Sequence, residues 1–353
     1  MVISTARSRK RSLSTQKRPS NQLILTSHVF FATMYHTCNQ VWDEEKGWDV
    51  VVEDTQALVG KVYLITGGTS GIGKALAHAL AKRGATVIVS GRNPVKLQTT
   101  VDALRQATEN IHVSGIQADL ASIGEVRQLA EQVQAQYARL DGLVNNAGTY
   151  LLQRKETVDG LEQTFAVNYF SHFVLSHLLR ERLQQSAPAR IVCISSATHG
   201  FFPHMDLADM PYRHKHYLAG LREYTQSKLS MLHLTYELAR RLTGTGITAN
   251  CYDPGFVRTA IGSESGQVLG FGMQMLGKLW RTPTKGAETG VYLATDAALT
   301  GISGGYFRDC QSIRAARVAY DVVTSQALWE RSMALAGQFM GSASRPHMLQ
   351  LAQ

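Results

Sequence analysis

Tyr224 and Lys228 stand four residues apart in YTQSKLSMLHLTYELARRL, a segment whose apolar spacing predicts a helix over Leu221 to Leu242. Side chains at i and i+4 share a helix face, so this spacing brings a phenol and an ammonium to one site. A phenol ordinarily titrates near about pH 10, too high for efficient proton transfer at neutrality. A nearby cation favours the phenolate. Lowering the pKa by about 3 units takes roughly 4 kcal/mol of differential stabilisation. A solvated pair about 4 Å apart supplies only about 1 kcal/mol. Such a site must exclude water and draw on a second positive group. Acid/base work on an oxygen is the chemistry that the pair offers. The same spacing recurs at Tyr236 and Arg240, but LARR there reads as a solvated helix end.

A second candidate lies far upstream. TGGTSGIG, Thr66 to Gly73, separates the apolar run KVYLIT from the helical pattern KALAHALAKRG. Glycine permits positive φ and close backbone approach. The following helix N-terminus offers free N–H groups and partial positive charge to a pyrophosphate. The strand–turn–helix context distinguishes Gly67, Thr69, Ser70, Gly71, Ile72 and Gly73 from a merely structural turn. At the end of the next strand, NAD binders usually place an acid on the ribose 2′-hydroxyl. Here VIVSGRN puts Arg92 after Gly91 and no carboxylate. A guanidinium can grip a 2′-phosphate through paired charged hydrogen bonds, so NADP(H) is favoured over NAD(H). The plain alternative for Arg92 is a surface residue beside the next helix.

The elements that would carry these residues alternate. Strands are expected at KVYLIT, TVIVS, IHVSGIQ, LDGLVNN, RIVCISS and GITANCY. Helices are expected near Pro94 to Thr108, Ser122 to Tyr137, Leu161 to Gln184 and Leu221 to Leu242. Alternation of this kind implies βαβ units and a parallel sheet, and continuously apolar strands imply helices on both faces. The fold class is α/β, a doubly wound parallel sheet in a single domain with an N-terminal extension.

The net charge of +9 over 353 residues is concentrated in a tail. Residues 1 to 42 carry six basic residues and no Asp or Glu, leaving 30 basic against 27 acidic for the rest. No nucleic-acid surface on the body is expected. Ser20 to Trp42 holds too many polar residues for a spanning helix, so no transmembrane segment is expected. A cytoplasmic location is expected; organelle import or peripheral membrane association through the extension is the alternative. The four cysteines follow no paired or metal-ligand spacing. His199, His204, His214 and His216 match no standard ligand set, and no metal is expected.

Taken together, the motifs resemble the short-chain dehydrogenase/reductase family over about Gly60 to Cys310, within its retinol-dehydrogenase-like and WW-domain-oxidoreductase-like branch. The carriers are the glycine loop, Asp119-Leu120, NNAG at Asn145 to Gly148, Asn168 in AVNYFSHF, ISS ending at Ser196, YTQSK, and YDPGFVRT. GGYFRDC supports the branch. Asp253 departs from it, standing where the branch commonly has His before Pro-Gly. The resemblance implies a Rossmann-type fold and a catalytic set of Asn168, Ser196, Tyr224 and Lys228. In that set Ser196 bonds the substrate oxygen, Lys228 also bonds the nicotinamide ribose, and Asn168 holds a water leading to solvent. It also implies cofactor contacts at Asp119, Leu120, Asn146, Ala147, Gly148, Tyr224, Lys228, Pro254, Gly255, Val257 and Thr259. Three regions are implied: residues 1–58 as a basic extension and linker, 59–310 as the cofactor-binding domain, and 311–353 as a helical tail.

The expected activity is NADP-dependent hydride transfer to or from a carbonyl or alcohol carbon. A cofactor-binding sensor or scaffold without catalysis is the alternative class. Residues Thr259 to Trp280 run TAIGSESGQVLGFGMQMLGKLW, rich in Val, Leu, Phe, Met and Gly, with Glu264 the only charge up to Leu276. They are expected to cover an apolar, uncharged alcohol or carbonyl such as a retinoid, steroid or aldehyde, with an ordinary packed amphipathic helix as the alternative. A homodimer is the assembly that the same resemblance allows.

Overall fold

Short apolar runs become buried strands at the centre of the sheet because both of its faces are covered. β1 (Val62–Ile65) is buried at every position. With it align β2 (Thr86–Gly91), β3 (Val113–Gln117), β4 (Gly142–Asn145), β5 (Ala189–Ile194), β6 (Ile247–Tyr252), β7 (Tyr306–Arg308) and β8 (Gln311–Ser312). The sheet order is β3-β2-β1-β4-β5-β6-β7-β8. Neighbours run parallel except β7 and β8, which form an antiparallel hairpin. This computed structural model describes residues 57–202, 204–210, 217, 219–257 and 281–339. The basic extension to residue 56, residues 258–280 and residues 340–353 lie outside the described residues.

One core fills each face. Helices α1 (Gly71–Lys82), α2 (Pro94–Thr108) and α7 (Pro283–Thr295) cover one side with Leu76, Leu80, Val101, Leu104 and Leu293. Helix α3 (Ile123–Gln136) helps to cover the other side with Val126, Leu129 and Val133. α6 (Leu221–Arg241) and α8 (Val322–Phe339) complete that side with Leu229, Leu232, Leu328 and Trp329. The architecture is the expected doubly wound Rossmann type.

Register positions the site. Ile65 lies opposite Val89 on one side and Val144 on the other. The loops that follow β1, β2 and β4 therefore emerge at one sheet edge. The chain reverses its direction of sheet growth between β1 and β4, and ligands bind at such switch points beyond the strand C-termini.

Two expectations are modified. The single helix over Leu161 to Gln184 is divided. Its first turn, Gln163–Phe165, is capped by Glu162, which accepts from Thr164 N and Phe165 N at 2.9 and 2.7 Å. A π turn follows over Ala166–Phe170, then α-helix over Ser171–Leu178; we call residues 163–178 α4. α5 (Arg180–Gln185) comes after a break at Leu179. The π turn centres on Asn168, whose side chain bonds outside its helix, so tertiary contacts outweigh local periodicity. Residues after 310 are also more than an appended tail. Tyr169 and Ser332 hydroxyls are 2.8 Å apart, and Trp329 meets Phe173 edge-on at 5.0 Å. α8 thus completes the core behind the site.

Candidate active site

The glycine loop is shaped by what its residues lack. Gly67 has φ +64°, and a Cβ there would lie 2.9 Å from Ala147 Cα. A Cβ at Gly73 would lie 2.4 Å from Asn146 Nδ2 and 2.6 Å from the Gly67 oxygen. At Gly91 a Cβ would meet Thr69 Cγ2 at 2.6 Å. The NNAG turn closes on the loop from the other strand. Asn146 Nδ2 donates to Thr66 O at 2.6 Å and Gly67 O at 3.3 Å. Thr66 Oγ1 accepts from Asn146 N and Ala147 N at 2.9 and 3.0 Å.

Ser70 begins α1, makes no side-chain cap, and no acid occupies the first turn. The free N–H groups there remain available to an anion. Gly71 has φ +53°, and Ile72 is buried against the position of Gly286. These features fit a dinucleotide: a backbone cradle with helix donors at its end. Arg92 is exposed just after β2, where a ribose 2′ substituent would be met. Asp119 and the buried Leu120 follow β3; Asp119 accepts from Ala121 N at 3.0 Å. Pro254, Gly255 (φ +75°) and the buried Val257 form the turn after β6. Thr259 lies outside the described residues.

The second half of the site is made of side chains. Lys228 is 4% exposed, and its Nζ donates to Ile194 O at 3.1 Å. That Nζ is 5.7 Å from the centroid of the Tyr224 ring. Ser196 begins a 3₁₀ turn after β5 and stands close enough to Tyr224 to favour its ionised form. Its Oγ also accepts from Thr198 N at 3.3 Å and Thr198 Oγ1 at 3.2 Å. Gly148 is where the halves meet: a Cβ there would lie 3.5 Å from Asn168 Oδ1 and 3.6 Å from Lys228 Nζ. Tyr150 stands edge-on to Tyr224 with centroids 5.3 Å apart.

Asn168 is tied by its whole side chain. Oδ1 accepts from Thr149 N at 2.7 Å, and Nδ2 donates to Thr149 O at 2.9 Å and Ser227 Oγ at 3.0 Å. Ser227 in turn donates to Tyr224 O at 2.7 Å. The Asn168 backbone carbonyl contacts His172 Nδ1 at 3.2 Å. The other His172 nitrogen, Nε2, is 3.0 Å from Thr66 Oγ1. A buried imidazole thus joins the glycine-loop strand to Asn168.

Thr66, His172 and Ser227 are absent from the sequence-based residue set. Their signals are weak: Thr66 reads as a strand end, and His172 follows Asn168 by one helical turn on a helix expected to be regular.

The electrostatics of the chain alone are those of a proton donor. Burial, reinforced by the Asp253 carboxylate, pushes Tyr224 up to about 12, against the opposing effect of Ser196. Burial lowers Lys228 to about 8, against attraction from the Asp253 carboxylate. Lys228 is still largely protonated at neutral pH. Its charge does not offset Tyr224's burial, so an ionised phenol needs the further positive group that the sequence implies.

The family model for short chain dehydrogenase matches residues 61–208. Mouse retinol dehydrogenase 13 is 37% identical over 297 residues, covering 82% of this chain and 88% of its own length. Human polyprenol dehydrogenase is 34% identical over 284 residues, 78% and 85% of the two chains. Among solved structures, the NADP active-site complex of Pseudomonas aeruginosa RhlG is 26% identical with a TM-score of 0.57, covering 75% of this chain and 98% of its own.

Proposed function

The chain belongs to the short-chain dehydrogenase/reductase family of oxidoreductases acting on CH–OH groups, and from that premise we propose that it interconverts an apolar alcohol and its carbonyl with NADP(H). The observation that carries the reading is the convergence of Tyr224, Ser196, Lys228 and Asn168 beside Gly148.

When bound, the cofactor supplies or accepts the hydride. The chain's own residues handle the oxygen and its proton. Tyr224 Oη gives its proton to the carbonyl oxygen in reduction and takes it from the alcohol in oxidation. Its protonated state at neutral pH suits donation to a carbonyl. Ser196 Oγ holds the substrate oxygen beside that phenol. Lys228 offsets negative charge that develops on Tyr224, and Asn168 holds a water on the route by which the proton is replaced.

Arg92, without a competing carboxylate in the GRN turn, supports NADP(H), and a structural neighbour was solved with NADP. The apolar substrate class rests on the Tyr150 ring beside Tyr224, the lack of Arg or Lys from Thr259 to Gly277, and relatives named for retinol and polyprenol. Purified full-length protein with NADPH should reduce all-trans-retinal and straight-chain aldehydes. Efficiency should rise with chain length by up to about 0.8 kcal/mol per buried CH₂, roughly fourfold. A flat series, or preference for a charged carbonyl, contradicts the substrate reading.

A further inference from the structure

Asp253 is 2% exposed, a carboxylate placed where water cannot compensate it. Its Oδ1 accepts from Gly255 N at 2.9 Å, fixing the turn that follows β6. Its Oδ2 accepts from Arg308 at the end of β7, from Nε at 3.1 Å and more closely from Nη2. Asp253 N also donates to Phe307 O at 2.9 Å.

The next residue along β7 repeats the arrangement with the charges exchanged. Asp309 takes Arg281 Nη2 at 2.9 Å and, more closely, Nη1. Arg281 N donates to Phe256 O at 2.8 Å, and Arg281 pairs with Val257 as a parallel bridge. Its guanidinium lies against Gly255, 2.9 Å from where a Cβ would stand.

Arg308 and Asp309 thus grip the Asp253–Val257 turn and Arg281 from one hairpin. That hairpin turns through Asp309 (φ 51°) and Cys310 (φ 59°), two non-glycine residues in left-handed backbone. Such strain persists only where surrounding contacts over-determine it. Breaking one partner of a buried charge pair is costly, so the clasp is held as a unit.

We infer that Asp253 and Arg308 are positioning residues for cofactor binding, with Arg281 and Asp309 as the outer half of the same clasp. They set the Pro254–Val257 turn against the cofactor without touching the reacting atoms. The inference rests on the proposed function, because that turn is assigned to the cofactor site. It gives a physical role to Asp253, the residue at which the sequence departs from its branch.

A second consequence separates this role from simple bracing. Asp253 influences Tyr224 and Lys228 on α6, Cys251 and Tyr252 on β6, Tyr306 on β7, and His199 in the turn after β5. Arg308 is the cation facing the same group. Removing the negative charge should therefore move the ionisation of Tyr224 to lower pH.

The test uses the full chain as Asp253→Asn, Arg308→Gln, the double variant and Arg281→Gln. NADPH affinity is measured by fluorescence titration, alongside apo melting temperature, kinetic constants and the pH profile of oxidation. The amide of Asp253→Asn keeps an acceptor for Gly255 N but loses the charge pair. Each inner single variant should weaken NADPH binding by about ten- to a hundredfold, more than it lowers kcat. The double should bind about as the worse single, since the pair acts together. The Asp253→Asn pH profile should shift to lower pH. Unchanged affinity in folded single variants, or fully additive losses, would overturn the inference. If an inner variant does not fold, Arg281→Gln decides: about threefold weaker NADPH binding supports the clasp, and unchanged binding refutes it. Wild-type protein that bound neither NADPH nor NADH would instead refute the proposed function.

Discussion

Around Gly67, Gly73 and Gly91 the site is made by absence: an added Cβ at each would run into Ala147, Asn146 or Thr69. Around Tyr224 it is made by occupancy, with Lys228, Asn168, Ser227 and His172 buried and hydrogen-bonded to one another or to backbone. The first half offers a shape and backbone donors, and almost any functional contact there is with main chain. The second half offers specific atoms with shifted proton affinities. The contrast teaches that lesions in the two halves should fail differently: the glycine half in binding, the tyrosine half in turnover.

The largest effect should come from Tyr224→Phe. It removes the proton donor and leaves the ring against Tyr150. Turnover should fall by about a hundredfold to ten-thousandfold, the usual worth of a positioned acid or base. Retention of most activity in a retinal-reduction assay would break the contrast at its centre.

Gly73→Ala should show the complementary defect. The new methyl would meet Asn146 Nδ2 and the Gly67 oxygen, and the loop must shift to admit it. Overpacking of about 1 to 3 kcal/mol predicts roughly ten- to a hundredfold weaker cofactor binding. At saturating cofactor, kcat should be much less affected. Equal losses in both constants would show that the halves are not separable.

Arg92→Asp sharpens the comparison within the binding half. Loss of a charged hydrogen bond costs about 1.5 to 3 kcal/mol, or roughly 10- to 100-fold, and the new carboxylate repels a 2′-phosphate besides. The ratio of NADPH to NADH efficiency should fall accordingly. An unchanged ratio would remove Arg92 from cofactor reading.

How much of this was legible follows from sequence distance. The glycine loop, the NNAG turn and the Tyr224–Lys228 pair are each set by a few neighbouring residues inside strand–turn–helix patterns. The contacts that join them are not. Thr66 meets His172 across 106 positions, Asn168 meets Ser227 across 59, and Asp253 meets Arg308 across 55. No local periodicity encodes such pairs. The division of α4 was hidden for the same reason, since the bonds of Asn168 leave its own helix. α8 was readable as a helical tail but not as part of the core behind Tyr169.

The smallest effect concerns His172, the link between the halves. Burial drives its pKa to about 3, so the folded chain keeps it neutral through the mildly acid range. The unfolded chain protonates it near its ordinary value of 6.5. Below that pH the unfolded state binds more protons, so stability is lost as pH falls from about 6.5 towards 3. His233, lowered by burial to about 4, acts in the same sense. Urea midpoints at neutral and mildly acid pH should show the decline, and His172→Asn should flatten it. An equal slope in the variant would show that His172 does not contribute.

The most direct test of the contrast is NADPH titration of the Tyr224→Phe protein by cofactor fluorescence. If the phenol acts on the substrate's oxygen, affinity should stay within about twofold of wild type while retinal reduction is lost. Loss of NADPH binding together with turnover would contradict the account, because Tyr224 would then belong to the cradle and not to the proton transfer.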